Sequence, residues 1–298
     1  MARLAVERLT KRYGTHLAVD DLTFSIGSGV IAGFLGPNGA GKTTTFRMLV
    51  GLASPTSGRA EIDGQTYGEL ADPGHRVGAM LEISGYHPTR SARDHLRTLA
   101  HVIDVDATRV DELLELVELT DAAGRAVGGF SSGMRQRLGL AAALLGDPDV
   151  LLLDEPANGL DPKGIRWLRG FLRGLAHDHG KTVFVSSHVL AEMAEMVDEV
   201  VIIDRGRLVA HASIDEVVAH AGRRVVVRSP DVGILEDRLL ATAAQVTHGE
   251  SNRLVISGLE IEEVGRIAAA GGCVLHELRE EGQSLEDTFL ALTAVERQ

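Results

Sequence analysis

Gly36-Pro37-Asn38-Gly39-Ala40-Gly41-Lys42-Thr43, with Thr44 following, fills every fixed position of a phosphate-binding loop: glycine, four variable residues, then Gly-Lys-Ser/Thr. Val30-Ile31-Ala32-Gly33-Phe34-Leu35 before it is a short apolar run that suits a buried strand, and Lys42 to Leu49 after it suits the first turns of a helix. A strand that turns through glycines into a helix aims successive backbone N–H groups at one point, which is what a phosphate needs. Gly36, Gly39 and Gly41 are expected to supply φ values that a Cβ would resist. Lys42 is then placed to reach the β/γ-phosphates as a point charge, and the Thr43 hydroxyl to sit on Mg²⁺. The stretch predicts binding of a nucleoside triphosphate and leaves open what the nucleotide drives.

Working outward, the chain has 298 residues, enough for one large domain or two modest ones, and is 44% hydrophobic. Its formal net charge of −12 argues against a surface built for nucleic-acid phosphates, which calls for clustered Lys and Arg. Cys273 is the single cysteine, so neither an internal disulfide nor a multi-cysteine zinc site is expected. Residues 1–8 carry charges where a secretory signal would have its apolar core. The longest apolar stretch, around Leu138 to Leu145, is stopped by Gly146-Asp147-Pro148, far short of the about 20 residues a membrane span needs.

Leu4 to Leu9 and Leu22 to Ile26 alternate apolar and polar, as antiparallel strands with one wet face do. Ala60-Glu61-Ile62 reads as a short strand before the turn Asp63-Gly64, and residues 91–146 read as helical. Ser91 with Asp94 three residues on is a capping signal, and Leu113, Leu114 and Val117 form a helical stripe. Beyond Pro148, strands over Val150–Leu153, Thr182–Val185 and Val200–Ile203 alternate with a helix over Ile165–His177, the pattern of a mostly parallel sheet. From about residue 215 the texture becomes that of a small α+β appendage. Strands are expected at Arg223–Arg228, Val246–His248, Arg253–Ile256 and Cys273–Leu275, with helices at Ile261–Ala270 and Ser284–Thr293.

Three further features carry chemistry. Ser131-Ser132-Gly133-Met134 opens a helix, so a serine hydroxyl, a glycine N–H and a helix start meet there; this makes either an anion site or a plain helix cap. Val150 to Leu153 is an apolar run that ends in Asp154-Glu155. With a phosphate loop upstream, Asp154 is the expected second partner of Mg²⁺, and Glu155 stands where it can take a proton from an attacking water. His188 follows the strand at Thr182–Val185 and has two readings, a contact to a γ-phosphate or water, or a structural role.

Taken in order (phosphate loop, helical segment, Ser-x-Gly at a helix start, Asp-Glu, the segment Asn158-Gly159-Leu160-Asp161, then His188), the chain resembles the ATP-binding cassette (ABC) ATPase family over roughly residues 2–215. The resemblance implies an α/β P-loop NTPase core with an antiparallel β subdomain and a helical subdomain at about 85–147, followed by a C-terminal accessory domain at 216–298. It implies ATP and Mg²⁺ as cofactors, with Gly36, Pro37, Asn38, Gly39, Ala40, Gly41, Lys42, Thr43 and Thr44 around the phosphates and Tyr13 stacked on adenine. Ser131 and Gly133 would contact the ATP held by a second copy of the chain, with Asp161 at the seam between the copies. Lys42, Glu155 and His188 would carry the catalysis.

Two positions depart from the family pattern. Glu82 stands where a glutamine usually helps ligate Mg²⁺ and senses the membrane partner, and the signature has Ser132 and Met134 in place of glycine and glutamine. Glu82 followed by Gly85-Tyr86-His87-Pro88, the Ser-x-Gly-Met signature and Ser284 to Phe289 all resemble the ATPase subunits of bacterial drug, lantibiotic and bacitracin-type exporters. That resemblance implies a cytoplasmic ATPase, peripheral on the cell membrane, which dimerises and docks on a separate transmembrane permease, with Thr43, Asp154 and Glu82 around the metal. No nucleic-acid partner is expected. A soluble cassette ATPase with a ribosomal, nucleic-acid or regulatory role is the competing reading. It is disfavoured by one cassette, one cysteine, no heptad run and the acidic charge.

Overall fold

The computed structural model describes residues 3–81, 85–189, 193–220, 223–242, 244–249 and 252–282. The chain divides into two compact units, Met1–Ile214 and Asp215–Gln298.

In the first unit, β1 (Leu4–Tyr13) pairs antiparallel with β2 (His16–Ile26) and with β4 (Ser57–Ile62), in the order β2-β1-β4. The buried side chains of β1, Leu4, Val6 and Leu9, include a step of three where strict alternation demands two. A bulge resolves the mismatch: the register shifts between Val6 and Leu9, and Arg8 lies there at φ 44°. Leu9 is thereby returned to the core face opposite Leu22.

The main sheet has the order β5-β6-β7-β3-β8-β9, from β3 (Ile31–Leu35), β5 (Val77–Met80), β6 (Val150–Leu153), β7 (Thr182–Ser187), β8 (Glu199–Asp204) and β9 (Arg207–Ser213). Its first five members in that order pair parallel, and β9 returns antiparallel along β8. Strands β3 and β6 are buried at every residue, as helix-covered parallel strands are. The neighbouring strands β6, β7 and β3 run the same way, so their carboxyl ends open on one rim, where ligands of such sheets bind. Beneath that rim Phe34 and Phe184 lie 4.9 Å apart, ring centre to ring centre. Phe46 of α1 (Lys42–Leu49) lies 5.0 Å from Phe184, and Phe24 of β2 lies 5.6 Å from it. One aromatic cluster therefore ties both sheets to the helix that follows the phosphate loop.

Helix α2 (Pro73–Arg76) leads into β5. The helical expectation for residues 91–146 is met in three pieces, α3 (Ala92–Val102), α4 (Thr108–Leu116) and α5 (Ser132–Ala143), with short 3₁₀ turns at Thr120–Ala122 and Val127–Gly129. The breaks have local causes: Asp104 and Glu118 sit at positive φ, and the Asp106 carboxylate accepts from the Thr108 backbone. Ser91 caps α3 as expected, accepting from Asp94 N–H at 3.1 Å. Helix α6 (Pro162–Arg173) continues into a π-helical turn, Gly174–Asp178.

The second unit runs β10 (Arg223–Arg228), a helix at Val232–Leu240, β11 (Gln245–Gly249), β12 (Arg253–Ser257), a helix at Ile261–Ala270 and β13 (Glu277–Gly282). All pairings are antiparallel in the order β11-β12-β10-β13, which makes a ferredoxin-like βαββαβ fold. Its core is its own: Val225, Val227, Leu254 and Ile256 from the sheet meet Leu235, Leu239, Val264 and Ala268 from the helices. One expectation is corrected here, and one element is unexpected. Cys273–Leu275 is not a strand, because its backbone is taken by a turn: Val274 N–H donates to the Asp231 carboxylate, and the Ser229 hydroxyl donates to Val274 O. The strand begins instead at Glu277. The helix at Val232–Leu240 has no counterpart among the expected elements. The helix expected at Ser284–Thr293, and the Ser284 to Phe289 segment, lie outside the described residues, as does Glu82. Among the described residues no helix is long and apolar enough to cross a membrane.

Candidate functional site

Strand β3 ends at Leu35, the loop occupies residues 36–41, and α1 begins at Lys42. Gly39 and Gly41 hold φ of 83° and 110°, conformations that a Cβ strains. Gly36 is not in that region. Its requirement is close packing, since a Cβ there would lie 2.6 Å from the carbonyl oxygen of Ile203. The conformational reason expected for Gly36 is therefore corrected to a steric one. No side chain caps α1, so the N-terminus of the helix opens on a cleft of about 240 Å³. The cleft is lined by Asn38 through Thr44, together with His16, Ala18 and Glu155. Lys42 is buried, its ammonium donating to Gly36 O at 2.7 Å and standing 3.3 Å from Glu155 Oε1.

The two acids at the end of β6 have different surroundings. Asp154 Oδ2 accepts from Thr43 Oγ1 at 2.6 Å, and Asp154 Oδ1 accepts from Ser186 Oγ at 2.5 Å. A hydroxyl beside a carboxylate is a hard, all-oxygen pair of the kind Mg²⁺ takes alongside water and phosphate oxygens. Among the described residues no group of three or more His, Cys, Asp or Glu could hold a metal ion. Glu155 sits at φ 50°, with its N–H donating to Ser186 Oγ at 2.8 Å. Its carboxylate lies between Lys42 and His188, whose Nδ1 is 2.9 Å from Oε2. A carboxylate so placed can accept a proton at the mouth of the phosphate cleft and share it with an imidazole.

The Ser-x-Gly element forms a separate place. Ser131 is the N-cap of α5 and accepts from Met134 N–H at 3.2 Å. Ser131 to Met134, Arg137, Gly159 to Asp161, Lys163 and Gly164 line a cleft of about 410 Å³. Asp161 caps α6, accepting from Gly164 N–H at 2.7 Å. Tyr13 lies at the end of β1, 47% exposed, with the Lys11 ammonium 4.7 Å from its ring centre. It does not line the phosphate cleft, but His16, its cross-strand partner, does. Sequence reasoning missed Ser186, His16 and Gln136. The Gln136 amide is buried under the acidic loop and donates to Asn158 O at 3.1 Å and, at a longer 3.4 Å, to Glu155 O.

A family model described as ABC transporter matches residues 19–158, and one described as a domain of unknown function matches residues 223–286. The bacitracin transport ATP-binding protein BcrA of Bacillus licheniformis is 45% identical over 209 residues, covering 70% of this chain and 68% of that protein. The Nod factor export ATP-binding protein I of Burkholderia orbicola is 35% identical over 308 residues, covering 100% of this chain and 99% of that one. Among solved structures, the dimeric bacterial ABC transporter cassette MJ0796 superposes with a TM-score of 0.65 at 24% identity, over 71% of this chain and 98% of that one. The chain belongs to the ABC transporter family of ATP-binding proteins. It carries the P-loop cassette fold, and it is an ATPase of that family, binding ATP and hydrolysing it to ADP and phosphate.

Proposed function

We propose that this chain powers the export of a drug, peptide antibiotic or similar compound through a separate membrane permease, working as a pair of copies on the cytoplasmic face of the membrane. The names of the relatives support the transport role: one serves bacitracin transport and the other Nod factor export. Phosphoryl transfer to water leaves little covalent work to a protein, so positioned charge does most of the work. In this reading the phosphate-loop N–H groups and the Lys42 ammonium hold the β/γ-phosphates. Glu155 takes the proton of the attacking water, and His188 holds the Glu155 carboxylate in place. Thr43 and Asp154 would hold Mg²⁺, which when bound neutralises charge on the phosphates. Ser131 and Gly133 serve the ATP of the second copy.

The observation that carries the reading is the row Lys42–Glu155–His188, with contacts of 3.3 and 2.9 Å, beside the Thr43–Asp154 pair. Glu155→Gln keeps the shape and removes the base. Hydrolysis is expected to fall by on the order of 10²–10⁴-fold, the usual contribution of a positioned acid–base group, while ATP binding persists. Phosphate release together with nucleotide binding measures this, and turnover at the parent rate would take the role away from Glu155. Affinity capture from membranes of the producing cell tests the transport half of the reading. Recovery of a multi-span permease supports it; a protein found only on ribosomes or nucleic acid would replace it.

A further inference from the structure

Ser186 touches both acids of the site, and its position follows from the register. Leu153 of β6 pairs with Val185 of β7, so the next residue of β7 lies beside Asp154 at the point where β6 gives way to the acidic loop. Ser186 also pairs with Phe34 of β3 on its other side, which leaves it fully enclosed at 0% exposure. A fully buried hydroxyl is costly unless both its donor and its acceptor are used. Here both are used. The hydroxyl donates to Asp154 Oδ1 at 2.5 Å and accepts the Glu155 N–H at 2.8 Å.

We infer that Ser186 is a positioning residue for hydrolysis: its hydroxyl fixes the Glu155 backbone in the conformation that aims the carboxylate between Lys42 and His188. Glu155 stands at φ 50°, a left-handed conformation unfavourable for a residue with a Cβ, and it persists only where the surroundings hold it. Ser186 holds the N–H side of the residue, and the Gln136 amide approaches its carbonyl at 3.4 Å. Without the hydroxyl, the Glu155 N–H loses its acceptor and the Asp154 carboxylate loses one donor, and relaxation of φ swings the side chain off the Lys42–His188 line. The same oxygen therefore keeps the proton acceptor in register with the carboxylate that Thr43 grips on its other side. Ser186 itself lines neither the phosphate cleft nor the Ser131 cleft, so its effect on the reaction passes through Glu155 and Asp154.

The inference rests on Glu155 being the base, and the test separates the two. In Ser186→Ala the phosphate loop and Lys42 are untouched, so ATP affinity is expected to stay within about twofold of the parent. The kcat is expected to fall by on the order of 10²-fold, the scale on which misplacing a reacting group is felt. Single-turnover hydrolysis and nucleotide titration on the purified full chain read the two quantities separately. In the Glu155→Gln background the same substitution is expected to cause only a small further loss, through Asp154, because the carboxylate it positions has gone. A Ser186→Ala kcat within about twofold of the parent overturns the inference, as does a joint fall of kcat and affinity, or a full additional loss in the Glu155→Gln background. Turnover by Glu155→Gln at the parent rate would sink the Glu155 reading itself, and the inference with it. If Ser186→Ala does not fold, Ser186→Cys, which keeps the shape with a much weaker donor and acceptor, takes its place: a fall in kcat at unchanged affinity supports the inference, and an unchanged kcat overturns it.

Discussion

Two glycines of the phosphate loop separate strain from space. Gly39 has φ 83° with nothing within 4 Å of where a Cβ would be, whereas Gly41 has φ 110° and its Cβ would stand 2.6 Å from the Ala18 carbonyl oxygen. Gly39→Ala should therefore cost only left-handed strain, about 1–2 kcal/mol. Gly41→Ala adds an overlap with backbone that cannot swing aside, and it should lose both thermal stability and ATP binding. Melting temperatures without nucleotide and an ATP titration check the order; equal effects would mean the loop gives way at Gly41. This is also where the legibility of the site in its sequence has a physical limit. The loop, Asp154, Glu155 and His188 are readable because the chemistry fixes their spacing along the chain. Ser186 and Gln136 act through contacts between residues 31 and 22 positions apart in the chain, set by strand register and helix placement, and neither has a local signature. Gly36 is recognisable from its position in the pattern, but its steric reason lies in Ile203, on another strand.

At the scale of elements, α3 and α5 are joined through an aromatic pair, half-buried Tyr86 and buried His95. Tyr86 donates its hydroxyl to Arg135 O at 3.1 Å and meets the His95 ring edge-on at 4.9 Å. Burial pushes the Tyr86 phenol up to about 12, against a partial opposing pull from Arg135. Burial, with Arg90 second, holds His95 below its ordinary 6.5. The signs follow from which state binds the proton. As pH falls below 6.5, the unfolded chain takes up a proton on His95 that the folded chain refuses, so stability is lost on acidification. Above the ordinary tyrosine value of 10 and up to about 12, the unfolded chain releases a proton that folded Tyr86 keeps, so stability is lost there too. His95→Gln should flatten the acid limb of a plot of melting temperature against pH, and Tyr86→Phe the alkaline limb; unchanged limbs would place the titrating groups elsewhere. Elements are legible where one period rules, as in the capped α3 and the buried β6. The reading fails at Cys273–Leu275, where apolar residues that look like a strand have their backbone groups taken by Ser229 and Asp231.

At the scale of the whole molecule, one chain carries two clefts with no described residue in common: the phosphate cleft with Lys42 and Glu155, and the cleft at Ser131, Gly133 and Asp161. A single ATP-binding unit whose Ser-x-Gly helix start lines a different cleft from its phosphate loop is suited to lend that helix start to a second copy. Two nucleotides would then hold two copies together, and loss of the γ-phosphate contacts would release them, turning a local change of charge into movement. Two crippled chains should therefore repair each other. Lys42→Ala removes the ammonium that grips the nucleotide and spares Ser131. Ser131→Arg fills the second cleft with a long cation and spares Lys42. Each variant alone should be nearly inactive. When they are mixed, each mixed pair contains one composite site built from an intact Lys42 and an intact Ser131, so part of the ATPase activity should return. Activity is to be followed in the mixture while differently tagged chains are co-captured to show that mixed pairs form. Captured mixed pairs that remain inactive would mean that each chain completes its own site.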